Sequence, residues 1–132
     1  MILALKTASA VTEAWLYESA EAAMPQAELE WESGRDLADQ LLGKIAQFLA
    51  ESQARMADLT GIVIFSGPGS FTSLRIGHTT AGALADSLSI PIAGATGEDW
   101  AQKALAKLKT TPKGQLALPH YGSEANVTRP KT

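Results

Sequence analysis

The chain has 132 residues, a formal net charge of −3 and no cysteine. That length fits one domain, and a hydrophobic content of 45% is ordinary for a chain that buries a single core. The lack of cysteine excludes disulfides, thiolate nucleophiles and cysteine-based zinc sites. No apolar run reaches the roughly 20 residues of a membrane helix, and residues 1–6 lack the features of a secretory signal, so a cytoplasmic protein is expected.

Charge is distributed unevenly along the chain. Residues 1–36 carry seven acids against Lys6 and Arg35, a balance of −5, whereas residues 103–132 have a balance of +5. Because nucleic-acid binders depend on neutralising phosphates, the acidic first part is not expected to contact RNA. The basic part either forms a solvated tail or contacts phosphate, and its six basic residues are Lys103, Lys107, Lys109, Lys113, Arg129 and Lys131.

Three strands are predicted in the first part of the chain. Residues 1–5 form an apolar run. After a tight polar turn, the odd-numbered residues of 11–17 alternate with Thr12, Ala14 and Leu16, as on the two faces of a strand. Residues 27–31 alternate apolar side chains with glutamates, the pattern of a strand with one exposed face.

The following residues predict helices that alternate with strands. In order, they are a helix from Leu37, a strand over 62–65, a helix over 71–88, a strand over 90–95 and a helix over 98–109. The order β-β-β-α-β-α-β-α predicts an α/β fold with a mixed five-stranded sheet over residues 1–109. Residues 110–132 contain three prolines and no periodicity, and we expect an extended tail.

One stretch carries most of the information about function. It reads Ser66-Gly67-Pro68-Gly69-Ser70-Phe71-Thr72-Ser73-Leu74-Arg75-Ile76-Gly77. Two glycines around a proline predict a sharp turn from a buried strand into a helix, with Ser70 as its N-cap. Free N–H groups at such a helix start can hold an anion, but no Gly-Lys-Ser/Thr follows, which excludes a Walker-type loop.

Small residues recur every four positions in the predicted second helix, at Gly77, Ala81 and Ala85. Such a stripe allows another helix to approach closely. The sequence leaves two interpretations open, packing against the first helix of the same chain or a helix pair between subunits.

The first strand, the Gly-Pro-Gly stretch and the later run Ile90-Pro91-Ile92-Ala93-Gly94 together resemble the TsaB (YeaZ) family. The resemblance runs in order from residue 1 to about 108, and Pro119-His120-Tyr121 resembles the family's C-terminal segment more weakly. Members of this family are partner subunits in the bacterial synthesis of threonylcarbamoyladenosine in tRNA.

The resemblance implies one ribonuclease H-like lobe of the actin-like ATPase fold, without catalysis and without a cofactor. It implies pairing with a TsaD-like threonylcarbamoyl transferase, with a TsaE-like small ATPase as a further component and a homodimer as a possible free form. Contact with tRNA is then indirect, through the complex.

The resemblance also suggests two groups of residues. Helical residues are expected to form an exposed apolar partner interface: Leu37, Leu41, Ile45, Leu74, Gly77, His78, Ala81 and Ala85. A vestigial nucleotide-site loop is expected at Lys6, Thr7, Gly67, Pro68, Gly69 and Ser70.

The sequence departs from the family pattern in three ways, two of which argue against nucleotide chemistry. Lys6 stands where the family usually has Asp, so a cation replaces a metal-holding carboxylate. Ser73 stands where glycine is usual, a mild change. The family's second lobe is expected to be absent after residue 109, and a single lobe cannot close on a nucleotide.

No catalytic or metal-binding residue is predicted. His78 and His120 lack a second histidine or carboxylate at metal spacing, whereas the catalytic relatives carry a paired-histidine site, and Ser70 has no candidate base. Two alternatives remain beside the partner subunit, an ATP-binding enzyme of the actin-like and peptidase-like superfamily and an accessory protein that binds tRNA directly.

Overall fold

The computed structural model describes residues 1–119, which form a mixed five-stranded sheet with three α-helices. The strands are β1 (Ile2–Lys6), β2 (Val11–Tyr17), β3 (Ala27–Glu32), β4 (Gly61–Phe65) and β5 (Ile92–Ala95). The α-helices are α1 (Leu37–Glu51), α2 (Phe71–Leu88) and α3 (Trp100–Leu108), and short 3₁₀ turns cover Gly34–Asp36 and Met56–Asp58.

The sheet order is β3-β2-β1-β4-β5. β1, β2 and β3 pair antiparallel as a meander, and β4 and β5 add parallel to β1. β1 and β4 therefore occupy the middle of the sheet, where both faces are covered, which explains their continuous apolar runs. β3 lies at an edge, and its three glutamates point to solvent.

Alternate residues of the central strands serve two separate cores. Leu3 and Leu5 of β1 pack in the cluster that contains the buried residues of α1 and three buried residues of α2, Ala81, Leu84 and Ala85. Ile2 and Ala4 pack in a second cluster with the buried residues of α3. Trp100 anchors this second core, with its ring centroid 5.7 Å from that of Phe65 and 5.8 Å from that of Trp15.

The predicted fold class and element order are confirmed. β5 begins at Ile92 rather than at Ile90, and α3 begins at Trp100 rather than at Glu98, with Asp99 at its N-cap position. Residues 111–119 contain no helix or strand, and residues 120–132 of the predicted tail, including His120, lie outside the described residues. No helix within residues 1–119 has the length and apolarity needed to cross a lipid bilayer.

Candidate functional site

The Gly-Pro-Gly turn, residues 66–70, connects the end of β4 to the start of α2. Gly67 has φ +121°, a region that side chains rarely adopt, and a Cβ on Gly69 would lie 2.7 Å from the Cβ of Ala8. The peptide bond between Gly67 and Pro68 is cis. Both glycines are therefore required here, one by the backbone conformation and one by the close approach of β1's end.

Three backbone hydrogen bonds hold this turn against the neighbouring strands. The Ser70 N–H donates to the Ala8 carbonyl at 2.8 Å, and the Ser66 N–H donates to the Ala95 carbonyl at 2.8 Å. The Gly97 N–H donates to the Gly67 carbonyl at 3.3 Å. The turn thus lies between the carboxyl ends of β1 and β5. Ala8, to which it is hydrogen-bonded, directly follows Lys6 and Thr7, the other two residues of the predicted loop site.

Ser70 caps α2, as predicted from the sequence. Its hydroxyl oxygen accepts a hydrogen bond from the Ser73 N–H at 3.3 Å. The Ser70 hydroxyl therefore has a local structural task at the start of the helix.

Lys6 directs its ammonium group at an aromatic ring. Its Nζ lies 4.6 Å from the centroid of the Phe65 ring, within range of a cation–π interaction. A cation thus occupies the position where the resemblance places a metal-holding carboxylate. Within residues 1–119 no group of three or more histidine, aspartate or glutamate side chains is placed to hold a metal ion.

Thr7 is a buried polar residue without a hydrogen bond. Its side chain is 0% exposed and its Oγ1 has no partner among the described residues. A Cβ on Gly77 of α2 would collide with this oxygen, so the glycine lets the helix pack directly on Thr7. The small-residue stripe therefore serves packing inside the chain at this position.

Replacing Thr7 by valine is expected to raise the free energy of unfolding by about 1 kcal/mol, because the change removes an unpaired buried hydroxyl at nearly constant volume. Urea denaturation of both proteins measures the difference. Thr12→Val is the matched control, since the Thr12 hydroxyl is buried and hydrogen-bonded to the Ser33 hydroxyl at 2.7 Å. It should lower stability, and equal effects of the two changes would contradict this explanation.

His78 pairs with Ser66 in the interior, an arrangement that the sequence analysis missed. The His78 Nε2 lies 3.1 Å from the Ser66 Oγ, and its Nδ1 lies 2.8 Å from the Leu74 carbonyl oxygen. Burial lowers the pKa of His78 below its ordinary value of 6.5, and the hydrogen bond to Leu74 opposes this only in part. The histidine is therefore neutral at neutral pH.

This buried histidine predicts an acid-sensitive fold. In the unfolded chain His78 titrates near 6.5, above its folded pKa, so the unfolded state binds the proton more readily as the pH falls. The free energy of unfolding should decline between about pH 7 and pH 5, and His78→Asn should reduce that decline. Urea denaturation of both proteins at pH 7 and at pH 5 tests this. The same loss in the free energy of unfolding for the wild type and for His78→Asn would contradict it.

The predicted interface residues are buried, so the expectation that they form an exposed face is wrong. All eight are buried in the protein's own interior, Leu74 in the core that contains α3: Leu37, Leu41, Ile45, Leu74, Gly77, His78, Ala81 and Ala85. The apolar stripes of the two helices face the sheet and each other, because that contact is where a single chain can bury them.

A different part of the same helices faces solvent. Leu42 of α1 is 52% exposed and Phe71 at the start of α2 is 55% exposed. A shallow groove of about 380 Å³ runs beside Phe71, lined by Ala38, Thr72, Arg75, Ile76, Thr79 and Thr80. These residues, with Leu42, are called the α1/α2 outer face below.

The basic residues near α3 are largely engaged by neighbouring groups. Lys103 pairs with Asp99 at 3.2 Å, and Lys109 pairs with Glu21 at 3.3 Å. The Lys107 ammonium donates to the Gly94 carbonyl at 3.3 Å. Arg129 and Lys131 lie outside the described residues.

The comparisons with known proteins agree with this architecture. Residues 31–113, more than half of the chain, match the family model described as TsaD, tRNA N6-adenosine threonylcarbamoyltransferase. The chain belongs to this family. The matched residues include all three α-helices and the Gly-Pro-Gly turn.

Solved structures with the same fold come from Pseudomonas aeruginosa. YeaZ has 25% sequence identity and a TM-score of 0.63, over 72% of this chain and 43% of YeaZ. A second structure, described as an uncharacterized protein with similarity to peptidase YEAZ, gives the same score and identity over 42% of its own length. The predicted resemblance to YeaZ is confirmed, and the chain spans less than half the length of these structures.

Two mycobacterial proteins resemble a shorter part of the chain. An uncharacterized protein of Mycobacterium tuberculosis is 40% identical over 57 residues, which is 43% of this chain and 27% of that protein. An uncharacterized protein of Mycobacterium leprae is 38% identical over 56 residues, which is 42% of this chain and 16% of that protein. The chain therefore matches less than a third of the length of either relative.

Proposed function

We propose that this chain is a partner subunit of a TsaD-like threonylcarbamoyl transferase, non-catalytic in the transferase reaction, and that it supports formation of threonylcarbamoyladenosine next to the anticodon of tRNA. The observation that carries the proposal is the YeaZ fold over 72% of the chain, combined with the family match over residues 31–113. In this proposal the transferase performs the chemistry on tRNA, and the chain contributes a surface to which the transferase binds.

Lys6 supports a role other than nucleotide chemistry. Lys6 is the last residue of β1, where a metal-dependent relative needs a carboxylate, and its ammonium lies over the ring of Phe65. A positive charge at this point repels a divalent cation. The tight packing of the Gly-Pro-Gly turn on Ala8 and the capping task of Ser70 also favour a structural use of the predicted loop site.

We place the transferase on the α1/α2 outer face. Leu42 and Phe71 are large apolar side chains that remain more than half exposed, and the groove between the helices can receive apolar side chains from a partner. A homodimer of the free chain through this face is the competing arrangement. A TsaE-like ATPase joins the complex as a further component.

A reconstituted reaction tests the proposed role. The purified chain, a TsaD-like transferase, the small ATPase and a threonylcarbamoyl donor are incubated with unmodified tRNA, and the modified nucleoside is quantified by mass spectrometry. Omission of the chain should reduce product formation at least tenfold. An equal yield without it, or full yield with the chain in place of the transferase, would contradict the proposal.

A further inference from the structure

Ser66 and His78 have the geometry of a serine nucleophile with its base. A carbonyl oxygen can only accept a hydrogen bond, so the 2.8 Å contact with Leu74 assigns the ring proton to Nδ1. The Nε2 lone pair then points at the Ser66 Oγ, 3.1 Å away, and the serine hydroxyl donates to it. Within residues 1–119 the Ile64 carbonyl oxygen is the other acceptor near this hydroxyl, and it is farther away at 3.4 Å.

The Leu74 carbonyl acts as the third group of this arrangement. It fixes the imidazole in one tautomer and one orientation, which is the task that a carboxylate performs in many serine hydrolases. Leu74 and His78 are one helical turn apart on α2, so the helix itself holds the base in place. No movement of the chain is needed to align the pair.

Ser66, which is itself 5% exposed, is one of the residues that line an open cavity. The cavity has a volume of about 550 Å³ and lies at the carboxyl ends of β4 and β5, where open α/β sheets commonly bind ligands. Gly94 forms part of its wall, and a Cβ at this position would collide with the Ser66 Oγ. The absence of a side chain at Gly94 therefore leaves the hydroxyl room that an alanine would fill.

Lysines contribute positive charge to the wall of this cavity. Lys103 and Lys107 lie one turn apart on α3 and both line the cavity. Lys103 pairs with Asp99 at 3.2 Å, whereas the Lys107 ammonium donates only to the neutral Gly94 carbonyl at 3.3 Å, so Lys107 supplies the uncompensated charge. Positive groups beside a nucleophile stabilise the oxyanion that forms on an attacked carbonyl, and they favour substrates that carry a carboxylate. Leu116 and Leu118 supply an apolar wall on the other side.

We propose that Ser66, with His78 as general base, hydrolyses small carboxylic esters whose acyl group carries a second carboxylate. This activity goes beyond the partner role and does not depend on it. The Ser66 Oγ forms a bond to the acyl carbon, its proton moves to the His78 Nε2, and the carbonyl electron pair moves to the oxygen.

The reaction then returns the serine to its starting state. Collapse of the tetrahedral adduct breaks the bond to the alcohol oxygen, and the alcohol leaves with the proton from His78. Water attacks the acyl-serine in the same way, with His78 again accepting and returning a proton. The products are one alcohol and one carboxylic acid, and the Ser66 hydroxyl is regenerated.

Covalent labelling and ester turnover test this proposal in the full chain. A fluorophosphonate probe should add one mass equivalent, and fragmentation of the peptide over residues 56–75 should place it on Ser66 rather than on Ser70 or Ser73. The chain should release nitrophenol from the mono-nitrophenyl ester of succinate faster than from nitrophenyl acetate.

Variants separate this chemistry from structural effects. Ser66→Ala and His78→Asn should each lower the rate of nitrophenol release about a hundredfold, the scale of general-base catalysis. Ser87→Ala, which removes a serine on the same helix away from the cavity, should leave the rate unchanged. Absence of labelling, a label on another serine, or wild-type turnover in Ser66→Ala would overturn the proposal. The labelling result on the unmodified chain decides the matter even if a variant fails to fold.

Discussion

Replacing Ala81 by glutamate is expected to unfold the chain rather than only to disturb a subunit contact. Ala81 is 0% exposed and packs between α2, α1 and the sheet, so the new carboxylate would have neither space nor a hydrogen-bonding partner. We expect a loss of more than about 3 kcal/mol in the free energy of unfolding. Circular dichroism during thermal and urea denaturation measures this loss.

The matched control for this change is Ala83→Glu. Ala83 lies two residues further along the same helix and is exposed, so the same substitution should change stability by less than about 0.5 kcal/mol. A folded Ala81→Glu protein with the stability of the control would show that α2 does not pack as described.

Replacing Leu42 by aspartate is expected to weaken binding of the transferase at least tenfold while the chain stays folded. Leu42 is 52% exposed, so its loss costs little in the free chain, whereas a charge there would be buried when the α1/α2 outer face is covered. Calorimetric titration of the transferase with each variant measures the change in Kd. Phe71→Asp should act in the same direction.

Gln40→Asp is the control for this surface. Gln40 is exposed on the same helix, but a rotation of about 200° around the helix axis places it on the side opposite Leu42. The substitution therefore leaves the α1/α2 outer face intact. If Gln40→Asp weakens binding as strongly as Leu42→Asp, or if neither Leu42→Asp nor Phe71→Asp has an effect, the proposed surface is wrong.

Much of the fold follows from the sequence because its periodic patterns are strong. The alternation of glutamates with Ala27, Leu29 and Trp31 can satisfy only a strand with one exposed face, and the structure places it at the sheet edge. The β-branched run in β4 fits only a strand covered on both sides, as observed. The sequence does not define the starts of β5 and α3, because Pro91 and the polar residues 96–99 carry no period.

The interface residues could not be predicted in the same way. An apolar stripe on a helix shows that the stripe is buried, but it does not show whether the cover comes from the same chain or from a partner. Leu41 and Ala81 satisfy the pattern through the chain's own core. Leu42 and Phe71 fall outside the stripe, so only the three-dimensional structure shows that these large apolar side chains are more than half exposed.

The Ser66–His78 pair was also outside the reach of sequence patterns. The two residues lie on different elements, and their contact depends on how α2 packs over the end of β4. The sequence shows His78 one helical turn after Leu74 and Ser66 directly after a buried strand. Neither spacing predicts a contact between the two side chains. The same holds for Thr7, whose hydroxyl has no hydrogen-bond partner among the described residues and lies against Gly77.

Co-expression with the TsaD-like transferase of the same organism, followed by native mass spectrometry of the purified material, tests the partner role most directly. The account predicts a species whose mass is the sum of one chain and one transferase, and Leu42→Asp should reduce its abundance. Recovery of the two proteins only as separate species, at concentrations of tens of micromolar, would contradict the central claim.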